Sequence, residues 1–342
     1  MQIYILIIFV LSCLFSYLYF LKESKPQQII IFLILGILIF IICVLRDESN
    51  VRDYGAYLEM FKYKTDSVEI SFNLLRNLII RYFSGNVTYL FWIYAIIGIL
   101  LKLYSIYKLS TNIILSFVIY VSYIYIVQDL TAIRVGASTS FLLLSIPYAI
   151  NRNLIKFLLM ALLATFFHSS AFIVIFLWFL NPKDIKPYYY IIILILSYFL
   201  IPILSDTLNK FQSYLPIYLQ NKILSYEIYD NTEINIFNFW QIIRVILTIY
   251  FLLNASNLFK KNENSILLVK IYFLSTISYI MLSFNPAYAG RISEIFIVVD
   301  ILLLPQILLT VRPKFKLICN LFILIVAFSY LYLNLFYLNL IN

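Results

Sequence analysis

The sequence has few of the residues on which soluble enzymes depend. Charged residues make up 12% of the 342 positions, and the chain has one histidine, His168. A soluble domain carries roughly twice that charged fraction. The three cysteines are an odd set that falls inside apolar runs: Cys13, Cys43 and Cys319. The sequence therefore predicts no disulfide framework and no transition-metal site, and we expect no metal and no cofactor.

Nucleotide-binding motifs are also absent from the sequence. It contains no P-loop, no G-x-G-x-x-G and no Asp-x-Asp metal–nucleotide site. The short loops that separate the apolar runs on one side leave no room for a nucleotide-binding domain. A transporter with its own ATPase domain is excluded, and so is a transferase that uses cytoplasmic nucleotide sugars. Any chemistry must use a substrate that was activated elsewhere.

The sequence consists largely of long apolar runs. Hydrophobic residues make up 63% of it, the mean hydropathy is +0.96, and repeated runs are long enough to cross a hydrocarbon core of about 30 Å. The first run has no basic start and no cleavage site, so we interpret it as a retained span. The predicted fold is an all-α polytopic integral membrane protein, a single transmembrane domain over residues 1–342. About 12 membrane segments are predicted, at 2–21, 27–45, 87–107, 111–128, 131–150, 154–167, 169–181, 187–205, 237–259, 265–283, 292–310 and 315–336.

The net charge of +9 is a topology signal. One set of alternate loops collects most of the lysines and arginines, whereas the other set holds more acids than bases. Short loops enriched in basic residues lie in the cytoplasm. Both termini are therefore expected in the periplasm, and the position of the charges argues against a nucleic-acid partner.

Residues 154–181 are too many for one comfortable span and few for two. Read as one helix they would place the later basic loops outside, so the charge pattern favours a hairpin of two short helices whose tip is His168. A single histidine in an apolar run is either a packing residue or a functional one. The predicted position at an outward-facing tip favours function.

Two long connections are predicted on the outer side. Loop 46–86 ends in a stretch with polar and apolar residues at helical spacing, which predicts an amphipathic helix at the membrane interface. Loop 206–236 is rich in tyrosine, with Tyr214, Tyr218, Tyr226 and Tyr229.

Charged side chains at membrane depth need a specific reason, because each costs at least about 2.5 kcal/mol at mid-span. Four arginines are predicted at or just below the outer face: Arg46, Arg134, Arg244 and Arg291. They are either anchors that reach the interface or, as a group, ligands for phosphate oxygens. The acids on the same face are candidate bases or ion-pair partners: Asp53, Glu69, Asp129 and Glu294. For Glu294 the spacing to Arg291 favours an ion pair.

Three short motifs follow one another on this predicted face. The first is Ile133-Arg134, then the turn 151–153, then Phe167-His168-Ser169-Ser170-Ala171. The second is Arg46, Asp53-Tyr54 with Tyr57, and Glu69-Ile70-Ser71-Phe72. The third is Arg291-Ile292-Ser293 before Ile295-Phe296. In order and spacing they resemble the EpsG-like family of bacterial polysaccharide polymerases, over roughly residues 46–296. The family often has Gly before Asp-Tyr and Pro after Glu, where this chain has Arg52 and Ile70.

The resemblance implies a Wzy-type membrane glycosyltransferase of O-antigen, capsule or exopolysaccharide synthesis in the bacterial inner membrane. Such an enzyme transfers a growing glycan from undecaprenyl diphosphate to the non-reducing end of another lipid-linked unit at the periplasmic face. The implied partners are the lipid-linked oligosaccharide, membrane lipids and a chain-length regulator protein. The expected diphosphate ligands are Arg134, Arg291, Arg46 and Arg244, and the candidate catalytic residues are His168, Asp53 and Glu69. The candidate acceptor- or sugar-binding residues are Tyr54, Tyr57, Asp129 and Glu294.

Two other functions stay open at this point. A flippase for lipid-linked oligosaccharides would also have about twelve spans, but its charged residues should follow a path through the bundle. A membrane O-acyltransferase would also use an isolated histidine, and it would change the acetyl content of the polymer rather than its length.

Overall fold

A computed structural model of the chain describes residues 1–21, 25–63, 68–212 and 234–341. Within these ranges the regular structure is helical, apart from one antiparallel bridge between Val51 and Ile341. The helices are α1 (Gln2–Leu21), α2 (Lys25–Val44), α3 (Tyr54–Lys62), α4 (Ile70–Tyr82), α5 (Thr88–Leu109), α6 (Ile113–Thr131), α7 (Ile133–Ile150), α8 (Leu154–Phe167), a 3₁₀ helix (Ser169–Phe179), α9 (Pro187–Phe199), α10 (Ile201–Gln212), α11 (Phe239–Phe259), α12 (Ser265–Met281), α13 (Pro286–Thr310) and α14 (Pro313–Tyr337).

Length and apolar composition make the chain a polytopic membrane protein. Seven described helices can cross a membrane, namely α2, α5, α6, α7, α11, α13 and α14, and an eighth crossing results if the bent pair α9–α10 counts as one span. The bend between those two helices is 65°. Four shorter apolar helical stretches of 10–17 residues are also present in the described ranges: Gln2–Leu18 of α1, α8, the 3₁₀ helix and α12. The expected all-helical membrane fold is confirmed, while the number of twelve segments and the side of the termini stay predictions.

The chain folds into two compact units. The first unit comprises Met1–Trp178 and Asp300–Asn342, and the second comprises Phe179–Val299. In the first unit α7 packs against α8 and against the π-helical parts of α5 (Ile96–Leu100) and α6 (Tyr120–Thr131). The N-terminal half of α7 is rich in small residues, in the order Gly-Ala-Ser-Thr-Ser, which lets neighbouring backbones approach closely.

The helix break at His168 is present in the structure. Helix α8 ends at Phe167 because the backbone of His168 is extended, with φ −149° and ψ 115°. The two arms return to the same end, since Arg152 Nη1 donates to Trp178 O and the rings of Phe157 and Trp178 lie 5.4 Å apart. Residues 154–178 therefore form the expected hairpin with His168 at its tip.

The two ends of the described chain meet at loop 46–86 of the first unit. The side chain of Gln2 donates to the carbonyl oxygens of Leu335 and Ile341. Val51 forms the antiparallel bridge with Ile341, and Arg52 N donates to Leu340 O over 3.2 Å. The start of α1, the segment after α14 and the loop before α3 therefore lie on one face of this unit.

The second unit is held together by buried polar groups between its helices. Thr248 Oγ1 of α11 lies 2.7 Å from Thr276 Oγ1 of α12. Lys270 is also buried, and its Nζ donates to the carbonyl oxygens of Asn181 and Asp184, each over 2.7 Å. Because hydrocarbon offers no hydrogen bonds, these contacts satisfy groups that would be costly to leave unpaired.

The two long outer loops differ in how much of them is described. Loop 46–86 contains α3 and α4, and the latter occupies the stretch in which the sequence predicts an amphipathic helix. Of loop 206–236, residues 213–233 lie outside the described residues, and so do its four tyrosines.

Candidate functional site

One carboxylate joins the arginine and the histidine that the sequence singles out. Glu69 Oε2 accepts a hydrogen bond from Arg134 Nη1, and Glu69 Oε1 lies 3.0 Å from His168 Nδ1. Of the predicted site residues, the structure brings these three into direct contact.

Each of the three residues lies at or next to the end of a helix. Glu69 is the residue before α4, Arg134 is the second residue of α7, and His168 is the break after α8. The helices fix the backbone on at least one side of each residue, so the side chains converge without a long loop. Tyr94, about 9 Å along α5 from its N-terminal end, has its ring 5.7 Å from that of Phe167. The residue before His168 therefore packs about two turns along α5 from its N-terminal end.

The cluster is buried and Glu69 is held in its ionised form. The side chain of Glu69 is 8% exposed and that of His168 is 9% exposed, whereas Arg134 retains 21%. Burial alone would raise the pKa of Glu69, but the hydrogen bond to His168 and the charge of Arg134 outweigh it and lower the pKa to about 2. Glu69 is a fixed negative charge at neutral pH rather than a proton acceptor.

The ionised carboxylate decides which nitrogen of His168 carries a proton. A carboxylate can only accept a hydrogen bond, so Nδ1 of His168 must be the donor to Glu69. The other ring nitrogen, Nε2, is buried and has no hydrogen-bond partner among the described residues. In the neutral ring Nε2 has a lone pair, which an incoming hydroxyl can use.

Aromatic residues from α3 line the site. The guanidinium carbon of Arg134 lies 5.7 Å from the centroid of the Tyr57 ring. The ring of Tyr57 meets that of Phe91 edge-on, while Tyr54 stacks on Phe91 with centroids 4.5 Å apart. Burial raises the pKa of Tyr57 and outweighs the opposing effect of Arg134, so its phenol is neutral. Of the predicted sugar-binding residues, Tyr57 therefore lies beside Arg134, and Tyr54 packs against Phe91, which also contacts Tyr57.

Asp53 is the second carboxylate near this cluster. It precedes α3, and its side chain makes no capping hydrogen bond. Burial raises the pKa of Asp53, and the charges of Arg52 and Arg134 oppose that shift. Asp53 and Glu69 thus have pKa values moved in opposite directions.

The guanidinium of Arg46 is hydrogen-bonded to other groups of the protein. Its Nε donates to Cys43 O over 2.8 Å, and its Nη1 donates to the carbonyl oxygens of Asp129 and Leu130 over 3.0 and 2.9 Å. Nη2 contacts the sulfur of Cys43, and the side chain is 5% exposed. Most of its five donors are therefore engaged by groups of the protein.

Asp129 is also fully engaged inside the first unit. Its carboxylate pairs with Lys102 Nζ at 2.7 Å and accepts a hydrogen bond from Tyr120 over 2.8 Å. Only 1% of its side chain is exposed. Its predicted role in sugar binding stays a prediction, and its observed partners are Lys102 and Tyr120.

The remaining predicted residues belong to the second unit. Arg244 lies on α11 with its guanidinium carbon 5.6 Å from the ring centroid of Tyr279 on α12. Arg291 and Glu294 lie on α13 and are both partly exposed. Their roles as diphosphate- and sugar-binding residues stay predictions.

Lys102 is a buried charged residue that the sequence analysis does not single out. The structure buries its side chain completely. The signal in the sequence is its position inside the predicted span 87–107, since a charged group at membrane depth requires a partner.

No group of three or more His, Cys, Asp or Glu side chains that could hold a metal ion occurs among the described residues. Catalysis without a metal or a cofactor stays a prediction.

Fold and site together define a class, the polytopic membrane proteins that bury a linked arginine, glutamate and histidine at one end of a helical unit. The EpsG family model matches residues 29–342, nearly the whole chain, so the protein belongs to the EpsG family. This is a Wzy-type polymerase family, and membership indicates polysaccharide polymerisation as the general activity. Neither the curated proteins nor the solved structures give a match.

Proposed function

We propose that this protein joins oligosaccharide repeat units carried on undecaprenyl diphosphate, at the periplasmic face of the bacterial inner membrane. The growing glycan leaves one lipid diphosphate and is transferred to the non-reducing-end hydroxyl of another lipid-linked unit. The observation that carries the proposal is the contact of Glu69 with both Arg134 and His168, which leaves His168 Nε2 buried without a partner.

Arg134 is the proposed ligand of the diphosphate. Its Nη1 is bound to Glu69, its Nε is buried without a hydrogen-bond partner among the described residues, and part of the side chain is exposed. The bond between the anomeric carbon and the diphosphate oxygen breaks, and negative charge develops on the leaving group. A preorganised guanidinium in a site with little water stabilises that charge in the transition state.

His168 is the proposed general base. Nε2 accepts the proton of the acceptor hydroxyl while the hydroxyl oxygen forms the new glycosidic bond. The imidazolium that results is stabilised by the ionised Glu69 on Nδ1, which also holds the ring in the correct tautomer. Glu69 itself is unsuited as the base because its pKa is lowered to about 2. Asp53, whose pKa is raised, is the second candidate.

The energy source fits the cellular location that we propose. The glycosyl diphosphate already contains the free energy for polymerisation, so no nucleotide is required at the site. The loop that carries Arg52 and Asp53 lies on the same face of the first unit as Gln2 and Ile341, and the charge pattern of the loops assigns that face to the periplasm. A chain-length regulator is the proposed protein partner at that face.

Polymerisation by purified protein tests the proposal. With a synthetic undecaprenyl-diphosphate-linked repeat unit, we expect a ladder of products and one released lipid diphosphate for each new linkage. Arg134→Lys keeps the charge but loses the planar fork, and we expect it to lower kcat by about 10²- to 10³-fold. Arg81→Lys is the matched control, because Arg81 is an exposed arginine of α4.

Other results would contradict the proposal. Transfer of the unit across a vesicle bilayer without elongation would identify a flippase. Acetyl transfer at unchanged chain length would identify an acyltransferase. A ladder that a chelator abolishes would contradict metal independence alone.

A further inference from the structure

A second charged cluster lies deeper in the first unit than the candidate site. Lys102 of α5 and Asp129 of α6 form an ion pair with 0% and 1% side-chain exposure. Lys102 Nζ also donates to Gly136 O over 2.9 Å, and Tyr120 donates to the second carboxylate oxygen of Asp129. The pair thus contacts α5, α6 and α7, the three spans that surround it.

Two glycines make room for the carboxylate. A Cβ atom added to Gly136 of α7 would lie 2.6 Å from Asp129 Oδ1 and 2.7 Å from Gln128 O. A Cβ atom added to Gly98 of α5 would meet the same carboxylate oxygen even more closely. Both helices therefore lack a side chain at the point where Asp129 lies, and an ordinary residue at either position would displace it.

The pair spans the break between α6 and α7. Helix α6 ends at Thr131 and α7 begins at Ile133, with Arg134 in its first turn. Lys102 binds the side chain of Asp129 before the break and the backbone of Gly136 after it. Arg46 binds the carbonyl oxygens of Asp129 and Leu130, which are unpaired acceptors at a helix C-terminus. Arg46 therefore fixes the backbone before the break, and Lys102 links the Asp129 side chain before the break to the backbone after it.

A gain in the stability of the protein does not explain why Lys102 and Asp129 are charged rather than apolar. A buried ion pair contributes little more than apolar residues of the same volume, and often less. Charged groups that form hydrogen bonds fix the relative positions of the atoms they join, because each hydrogen bond requires a defined distance and angle. Here those atoms belong to α6 and α7, the two helices that determine the orientation of the Arg134 side chain.

We propose that Lys102 and Asp129, with Tyr120 and Arg46, are positioning residues that hold Arg134 in the orientation required for the polymerase reaction. They do not touch the substrate; they act by fixing the angle between α6 and α7. The inference rests on the proposed function, since it assigns a purpose to Arg134 in the same reaction.

Two tyrosines of α6 give a matched test. Tyr120 and Tyr125 are both fully buried, and each hydroxyl makes one hydrogen bond, to Asp129 and to Ile39 O respectively. Tyr120→Phe and Tyr125→Phe remove the same atom from the same helix. We expect Tyr120→Phe to lower kcat by about tenfold with an unchanged KM, because a shift of the arginine affects the transition state more than the ground state. We expect Tyr125→Phe to keep the wild-type kcat. Equal kcat values in the two variants would overturn the inference.

Variants without the charges of Lys102 and Asp129 distinguish a role in orienting Arg134 from a role in stability. Asp129→Asn leaves Lys102 buried without its counter-charge, and we expect both the melting temperature and kcat to fall, the latter by about 10²-fold. In the double variant Lys102→Met/Asp129→Asn we expect the melting temperature to recover while kcat stays low. Recovery of both would show that the pair is only structural. If Asp129→Asn does not insert, the two tyrosine variants decide the question.

The test also distinguishes failure of the inference from failure of the proposed function. If folded wild-type protein does not extend lipid-linked units, the proposed function is wrong. If the wild type polymerises and Tyr120→Phe matches Tyr125→Phe, only the positioning role is wrong.

Discussion

Glu69 Oε1 and His168 Nδ1 lie 3.0 Å apart although 99 residues separate them in the chain. The contact joins loop 46–86 to the tip of the hairpin 154–178. It gives the only histidine a fixed tautomer, and it gives the carboxylate a partner besides Arg134. The proposed roles of His168 as general base and of Glu69 as its partner both depend on this contact.

Replacing His168 by glutamine removes the proposed base and keeps a neutral polar side chain at the hairpin tip. We expect kcat for chain extension to fall by about 10²- to 10⁴-fold while the protein still inserts. Thr165→Ala is the control, because Thr165 bonds only to Ala161 O within α8 and should keep wild-type kcat. A glutamine variant that extends chains at the wild-type rate would assign the base elsewhere.

Because of Glu69, we expect the stability of the folded protein to fall at acid pH. Its pKa in the folded protein is about 2, below the ordinary 4.5, so its contribution is fully present above pH 4.5 and is lost as the pH falls towards 2. In Glu69→Gln that contribution is absent at every pH. We expect melting temperatures in detergent, compared from about pH 6 to pH 3, to converge between the two proteins at the acid end. Parallel curves would contradict the ion pair.

Asp53 responds in the opposite sense. Because burial raises its pKa, its ionised form is disfavoured in the folded protein, and Asp53→Asn removes a cost that is present at neutral pH. We expect Asp53→Asn to melt at the wild-type temperature or slightly above it at pH 7, and to retain most of the chain-extension activity. A loss of kcat as large as that of the His168 variant would make Asp53 the base.

Gly98→Ala tests the space around the buried ion pair. The new methyl group would overlap the Asp129 carboxylate and displace it from Lys102, and we expect a loss of about 3 kcal/mol in stability. Gly290→Ala is the matched control, since its added Cβ meets nothing within 4 Å and alanine favours a helix. Melting in detergent measures both. Equal stability of the two variants would contradict the packing around Asp129.

Cysteine labelling tests the face on which the site opens. In a background without Cys13, Cys43 and Cys319, we expect a membrane-impermeant maleimide added outside the cell membrane to label Ser49→Cys and Leu338→Cys. Both positions are exposed on the face where the chain ends meet. Lys156→Cys, near the basic turn before α8, should be protected until the membrane is permeabilised. The reverse pattern would place the site in the cytoplasm.

The hairpin could be predicted because it depends on local quantities. The length of the run 154–181 and the charges at both ends decide whether it crosses once or returns, and both are visible in the sequence. The break at His168 follows from the same reasoning. Helix boundaries elsewhere also agree closely, as in the predicted span 265–283 and the observed Ser265–Met281.

The partners of the charged residues could not be predicted, because they depend on which helices pack together. Lys102 lies inside the predicted span 87–107, but the sequence does not show that it pairs with Asp129, for whose carboxylate Gly98 and Gly136 leave space. The sequence likewise does not show that Arg46 donates to two carbonyl oxygens at the end of α6, and its role as a diphosphate ligand stays a prediction. Hydropathy gives the depth of a residue but not its neighbours.

The pairing of Val51 with Ile341 has a consequence for the order of events during synthesis. The loop before α3 emerges from the ribosome before its bridge partner, which lies 290 positions further along the chain (341 − 51). We therefore expect the loop beside the site to reach its final conformation only after α14 has been inserted. A nascent chain stalled before residue 338 would have the histidine, the glutamate and the arginine already in the membrane, and would still lack the segment that completes the loop beside them.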